Sequence, residues 1–222
     1  MTGVADDAAP APPVLVRPRE ARTVCSRILR QSAWDWGLEP AVTAMVLAAE
    51  HDGLGGLRAL AEDWPAIRSA APRRMSVRRH ADGIVFDAAG CHALVAAPSI
   101  LDRLLPAAGD GPAEVAVTRC PAARLLGALV RFAARDGLAL AVEADGDAAR
   151  LAARRAAAAE PFDPLALSRA DLTVERALWA RLGRTAAGYL IPESAVSRSH
   201  AGDGTRAFPL ADAQGTRPGR GG

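Results

Sequence analysis

Near residue 80 the spacing of the apolar residues changes from helical to strand-like. This switch restricts the chain to folds that join helices to a sheet. Before it, Val24, Cys25, Ile28, Leu29, Ser32, Ala33 and Trp36 recur at helical spacing after Pro18, a residue suited to a first helical turn. Gly37 closes that helix. Glu39 and Pro40 open a second, with Val42, Met45, Val46 and Ala49 on one face, and Gly53 stops it. Leu54, Leu57, Leu60 and Trp64 mark a short third helix before Pro65.

After the switch, residues 83–86 and 91–96, joined by Asp87-Ala88-Ala89-Gly90, read as a β-hairpin. Residues 114–117 and 138–142 read as strands, residues 100–105 as a helical turn, and residues 121–136 as a helix closed by Gly137. An Ala-Arg helix is expected over 147–160 and a short strand over 165–167. Thr173 caps a last helix carrying Val174, Leu178 and Leu182. The expected fold is α+β, a short helical N-terminal unit followed by a mixed sheet with packed helices. The expected division is a disordered leader (1–17), the helical unit (18–66), an Arg-rich connector (67–82), an α+β body (83–198) and a disordered tail (199–222).

Composition then removes whole chemistries. The 222 residues include no lysine and no asparagine, and all 27 basic residues are arginine, a bias of GC-rich bacterial coding. Without lysine there is no Walker-type phosphate lysine, no Schiff base for pyridoxal and no kinase strand lysine. Without asparagine there is no N-glycosylation acceptor and no papain-like Cys-His-Asn set. A net charge of +2 lacks the basic excess of a dedicated nucleic-acid binder. Cys25, Cys91 and Cys120 form no CxxC pair or disulfide framework, which places the chain in a reducing cytoplasm. The first residues lack a signal peptide's basic start and apolar core, and no apolar run approaches the ~20 residues of a membrane span.

The motifs that suggest chemistry also have plainer explanations. His51, His80, His92 and His200 show no HExxH and no i,i+4 pairing, so no metal is expected. Cys91-His92 resembles a nucleophile beside its base, but successive strand residues point to opposite faces. Gly53-Leu54-Gly55-Gly56 resembles a phosphate loop, yet it follows a helix and reads as a cap and turn. Arg68, Arg73, Arg74, Arg78, Arg79 and His80 form a run without an acid, read as a solvated linker with the capacity to grip phosphate or an acidic partner. Trp34 or Trp36 is a candidate binding surface, because one helix does not easily bury both.

Two stretches carry a family resemblance. Ser32-Ala33-Trp34-Asp35-Trp36-Gly37-Leu38 leads into Leu54-Gly55-Gly56-Leu57-Arg58-Ala59-Leu60, and near the end Tyr189-Leu190-Ile191-Pro192 precedes Ser197-Arg198. In these the chain resembles the bacterial domain-of-unknown-function family 3726, whose members begin with a Trp-Gly-Leu helix joint. They end with a Tyr-Val-Pro segment, a Ser-Arg pair and a glycine run. The matching positions are Trp36, Gly37, Leu38, Pro192, Ser197 and Arg198. Leu190 stands where the family's tyrosine falls, Ala201-Gly202-Asp203-Gly204 only echoes the glycine run, and the family's acidic ending is absent. The resemblance implies no activity, since the family is uncharacterised.

The leading functional expectation is a non-catalytic accessory or interaction protein of the cytoplasm. It works without cofactor, nucleic acid or membrane, and its partner is the product of a neighbouring gene. The alternative is a small enzyme or binder acting on an anionic small molecule, a carboxylate or phosphate. Glu193, Ser194, Ser197 and Arg198 are the candidate ligand-binding residues, with Arg198 gripping the anion and Ser197 adding a neutral donor.

Overall fold

The computed structural model describes residues 12–80, 83–109, 111–156 and 170–190. The chain divides into a unit from Met1 to Tyr189 and a second from Leu190 to Gly222, and everything after Leu190 lies outside the described residues.

The N-terminal helices form where the apolar spacing places them. α1 (Pro18–Leu29) follows extended backbone at Arg17 and buries Ala21, Cys25, Ile28 and Leu29. It ends well before Gly37, because the Ala33 N–H donates to Arg68 O at 3.1 Å instead of continuing the helix. A 3-10 turn over Trp36–Leu38 then leads into α2 (Glu39–His51). α2 buries Val42, Thr43, Met45, Val46, Leu47, Ala48 and Ala49, more than a single stripe, as befits a helix inside the core. α3 (Gly56–Glu62) and α4 (Trp64–Arg68) follow. Gly56 lets α3 lie directly on α2: a Cβ there would stand 2.1 Å from Val46 O.

Five strands form the main sheet: β2 (Ser76–His80), β3 (Gly83–Asp87), β4 (Ala113–Thr118), β5 (Leu138–Asp145) and β6 (Ala148–Arg155). Their order is β2-β3-β4-β6-β5, with β3 and β4 parallel and the other neighbours antiparallel. The parallel pair is joined through α5 (Ala93–Gly109), the helical crossover such a pair requires. α6 (Leu129–Arg135) precedes β5. A separate two-stranded sheet pairs β1 (Val14–Val16) with β7 (Leu172–Val174), and α7 (Arg176–Ala187) closes the described chain. The fold is α+β. No helix among the described residues is long and apolar enough to cross a membrane.

Alternation assigns one face of the sheet to the core. Ile84 and Phe86 of β3, Val115 and Val117 of β4, and Ala149 and Leu151 of β6 are all buried, in one cluster with Leu94, Ile100 and Leu104 of α5. On the opposite face, register aligns Arg78, Val85, Ala116, Arg150 and Glu143 in a row across all five strands, and none of the five is buried.

Several elements differ from the sequence reading. Residues 91–96 are not the second strand of a hairpin: Cys91 and His92 lead into α5, which absorbs the expected turn at 100–105. An apolar run reads alike as strand or helix, and Pro98 and Pro106 lie inside this helix. Residues 148–155 form a strand rather than an Ala-Arg helix. Helix propensity loses there because β6 is paired on both sides and buries Ala149, Leu151 and Ala153 in alternation. Gly146, at φ +54°, makes the two-residue turn that folds β6 back on β5. Thr173 lies in β7, and the residue preceding α7 is Glu175. Residues 76–80 of the expected connector form β2, and 14–16 of the expected leader form β1. Residues 1–11, the strand expected over 165–167 and the tail lie outside the described residues.

Candidate functional site

Glu193, Ser194, Ser197 and Arg198 lie outside the described residues, so the structure brings none of them to a site. The described chain positions other groups with chemical potential.

His92 is 2% exposed at the entry to α5. Its Nδ1 accepts the Leu94 N–H at 3.2 Å, which makes Nε2 the protonated nitrogen, and Nε2 lies 3.2 Å from Asp63 Oδ2. Both ring nitrogens are thereby committed. Burial holds the imidazole below its usual range, against the opposing pull of the Asp63 carboxylate. A neutral ring that caps a helix has no lone pair left for a substrate proton. The adjacent Cys91 is buried and its thiol is pushed up by desolvation. Burial likewise raises Cys25 and Cys120 to about 12, Cys120 with added repulsion from Cys91 and Asp147. None of the three presents a thiolate at neutral pH, and the Cys91-His92 pair forms no nucleophile and base.

The carboxyl ends of β3 and β4 hold the most constrained backbone. Ala89, Arg119 and Ala122 have φ of +54°, +52° and +59°, and they are the non-glycine residues of positive φ among those described. Such backbone is costly and often marks function. Here the backbone groups and the arginine beside it are largely paired locally. The Gly90 N–H donates to Arg119 O at 2.8 Å, the Ala88 N–H to Thr118 O at 2.9 Å and the Cys120 N–H to Asp147 O at 2.8 Å. Arg119 grips Asp87 with two bonds, and the Asp87 carboxyl lies below the usual range because of that guanidinium, with help from the Ala89 N–H. The cleft alongside, about 430 Å³, carries Asp145 and Asp147 opposite Arg119, a lining that does not favour an anion. The glycines at Gly53 and Gly55 are turns of positive φ after α2. The Leu57 N–H at the start of α3 is taken by Glu50 Oε2 at 2.9 Å, so a carboxylate of the chain already occupies the place an anion would take.

The remaining region is different. A groove of about 820 Å³ opens where the Trp34–Leu38 joint faces residues 69–75 and Ser99. Two bonds fix its walls: the Ala33 N–H to Arg68 O, and the Trp34 indole N–H to Ile67 O at 2.8 Å. Trp34 is 6% exposed and serves as wall rather than as an open stacking surface. Leu38, Ala70, Pro72 and Met75 make the lining largely apolar, and Asp35 and Arg73 bring it one charge of each sign. Met75 leads directly into β2, one of the two edge strands of the sheet. All five residues of β2 are exposed on both faces. Among the described residues no acid forms an ion pair with Arg68, Arg73, Arg74, Arg78 or Arg79. Asp87 lies close enough for Arg78 to lower its pKa, but its two oxygens are held by Arg119.

The acid-free arginine run was visible in the sequence; its place on a sheet edge was not, because Ser76–His80 carries a single apolar residue, Val77. Among the described residues no three His, Cys, Asp or Glu side chains gather where they would hold a metal.

No family model matches the chain, and no curated protein matches it significantly. Among solved structures, the malate dehydrogenase of Entamoeba histolytica overlaps with a TM-score of 0.45 at 16% identity, over 59% of this chain and 38% of that one. The sulfolactate dehydrogenase of Methanocaldococcus jannaschii overlaps with a TM-score of 0.42 at 12% identity, over 56% of this chain and 38% of that one. The chain thus spans well under half the length of either enzyme.

Proposed function

We propose that this protein is a small cytoplasmic interaction protein that acts by docking to another protein rather than by catalysis. The observation that carries this reading is the pairing of an exposed basic strand edge with an adjoining apolar groove. The groups best suited to chemistry support it from the other side: His92 is a helix cap, and the three thiols are buried and protonated. The Trp36, Gly37 and Leu38 joint that turns the chain into the groove is also one of the two stretches that resemble the domain-of-unknown-function family 3726, the other, with Pro192, Ser197 and Arg198, lying outside the described residues. Membership in that family is part of this proposal.

A second reading is favoured by Arg73 at the rim of the groove: an anionic small molecule seated there, with its charge on the guanidinium. The groove's volume falls within the usual ~300–1,000 Å³ of small-molecule sites.

Affinity purification from the native host, with the double variant Arg78→Glu/Arg79→Glu as the control, tests the first reading. A stoichiometric partner that the wild-type chain retains and the variant loses supports docking. Turnover of any compound in a broad metabolite panel by the purified chain alone overturns it. A thermal shift with a carboxylate or phosphate that disappears in Arg73→Ala selects the small-molecule reading.

A further inference from the structure

Among the described residues the sheet has two unpaired edges, the outer sides of β2 and β5, and β2 is the one that carries the arginines without an ion-pair partner. In the order β2-β3-β4-β6-β5, β2 is paired with β3 along one edge, and among the described residues nothing pairs along the other. An edge strand presents a row of backbone donors and acceptors to any extended chain that approaches it. Its side chains sort by register. Val77 and Arg79 stand opposite Phe86 and Ile84, on the face where β3 is buried, whereas Arg78 stands opposite Val85 on the other face. Phe86 is 2% exposed and its neighbour Val77 is 36% exposed. Among the described residues the burying layer therefore ends at β3, and both faces of β2 are exposed.

We propose that β2 accepts an acidic, extended segment of a partner protein as a sixth strand of the sheet, a claim that rests on the interaction reading above. The charge decides the occupant. Arg78 projects from one face of the edge and Arg79 from the other, so two consecutive acids in the segment place one carboxylate on each guanidinium. Val77, two residues from Arg79 on the same face, receives an apolar side chain two positions from the matching acid. Beyond Ser76 the segment runs toward Met75 and Pro72, where the groove takes an apolar residue and Arg73 stands at the rim. A basic segment meets repulsion along the whole edge, and so does β2 of a second copy. The recognised pattern is an acidic pair in a β-prone stretch with an apolar end.

The experiment uses the full-length protein and three labelled ten-residue peptides read by fluorescence anisotropy. One carries a Glu-Glu pair within alternating Val and Thr and ends in Leu-Trp. The second replaces both Glu by Lys. The third keeps the acidic sequence but N-methylates alternate amides. The acidic peptide is expected to bind, and its affinity to fall at least tenfold in Arg78→Glu/Arg79→Glu, with an unchanged melting temperature showing that the variant folds. It is expected to weaken several-fold between 50 and 300 mM salt, as exposed charge pairs do. The Lys peptide is expected not to bind. Equal binding of the N-methylated peptide overturns strand addition in favour of simple charge attraction. Equal binding by the double variant overturns the assignment to β2. A native partner captured equally by wild-type protein and double variant overturns this inference while leaving the interaction reading standing. Metabolite turnover by the chain alone defeats that reading itself.

Discussion

The carboxyl ends of β3 and β4 and the outer edge of β2 sit on the same sheet and spend their polar groups in opposite ways. At the strand ends the strained residues, the Asp87–Arg119 pair and the imidazole of His92 all look chemical, and all are satisfied from within. At the edge, five residues of ordinary composition carry arginines with no described ion-pair partner. Where donors and acceptors are already matched, an unusual conformation serves the fold. Where they are left over, an unremarkable strand becomes the place to bind.

That contrast breaks most directly through one cross-strand pair. Phe86→Ala removes a ring 2% exposed in the core and should cost about 3–5 kcal/mol in urea unfolding. Val77→Ala, directly opposite on β2, should cost under ~0.5 kcal/mol. Comparable losses at the two positions would mean that β2 is covered after all. His92→Ala should cost about 2–3 kcal/mol, because it opens a cavity and leaves the Leu94 N–H without its acceptor. It should leave any partner binding intact, and selective loss of binding without loss of stability would give the imidazole a working role.

The pH dependence sharpens the same point. Burial lowers His92 from its ordinary 6.5, so the unfolded chain takes up a proton that the folded ring resists. Stability should fall as pH drops through about 6.5 and level off once pH is below the folded value. Flattening of that slope in His92→Ala ties it to this ring. At the alkaline end Cys25 and Cys120, at about 12 when folded against an ordinary 9.0, keep their protons while the unfolded thiols lose theirs. Stability should therefore decline as pH rises above about 9. The smallest effect belongs to the strained turn. Ala89→Gly, at φ +54°, should raise stability by roughly 0.5 kcal/mol, the relief of left-handed strain less the added freedom of glycine. A decrease would mean the turn depends on the Ala89 methyl.

Legibility in the sequence followed the strength of the local signal. α1, α2 and α3 were readable from apolar spacing punctuated by glycine and proline, because local propensity and burial agree there. β6 was not, since Ala and Arg favour helix locally and only pairing with β4 and β5 makes residues 148–155 extended. α5 was split because the apolar run at 91–96 suits a strand as well as a helix. For the site, the unopposed charge at residues 68–80 and the Trp34–Leu38 joint were both legible as features. That they adjoin depends on the bond from Ala33 to Arg68 and on the pairing of Val77 with Phe86, contacts that no spacing rule anticipates.

Gly56 ties mutational history to architecture. With Val46 O 2.1 Å from where a methyl would sit, and Ala49 Cβ and Glu50 N each 3.0 Å away, α2 and α3 touch backbone to backbone. Selection acting on the rest of this region can trade Leu57 or Leu60 for other apolar residues of similar volume. It has no smaller residue to offer at position 56. Any descendant that replaces this glycine must first re-seat α3 on α2, and α4, which braces the groove through Arg68 and Ile67, follows α3 in the chain. Gly56 is therefore the least negotiable letter at the α2–α3 contact, and a lineage survey would find drift around it before drift in it.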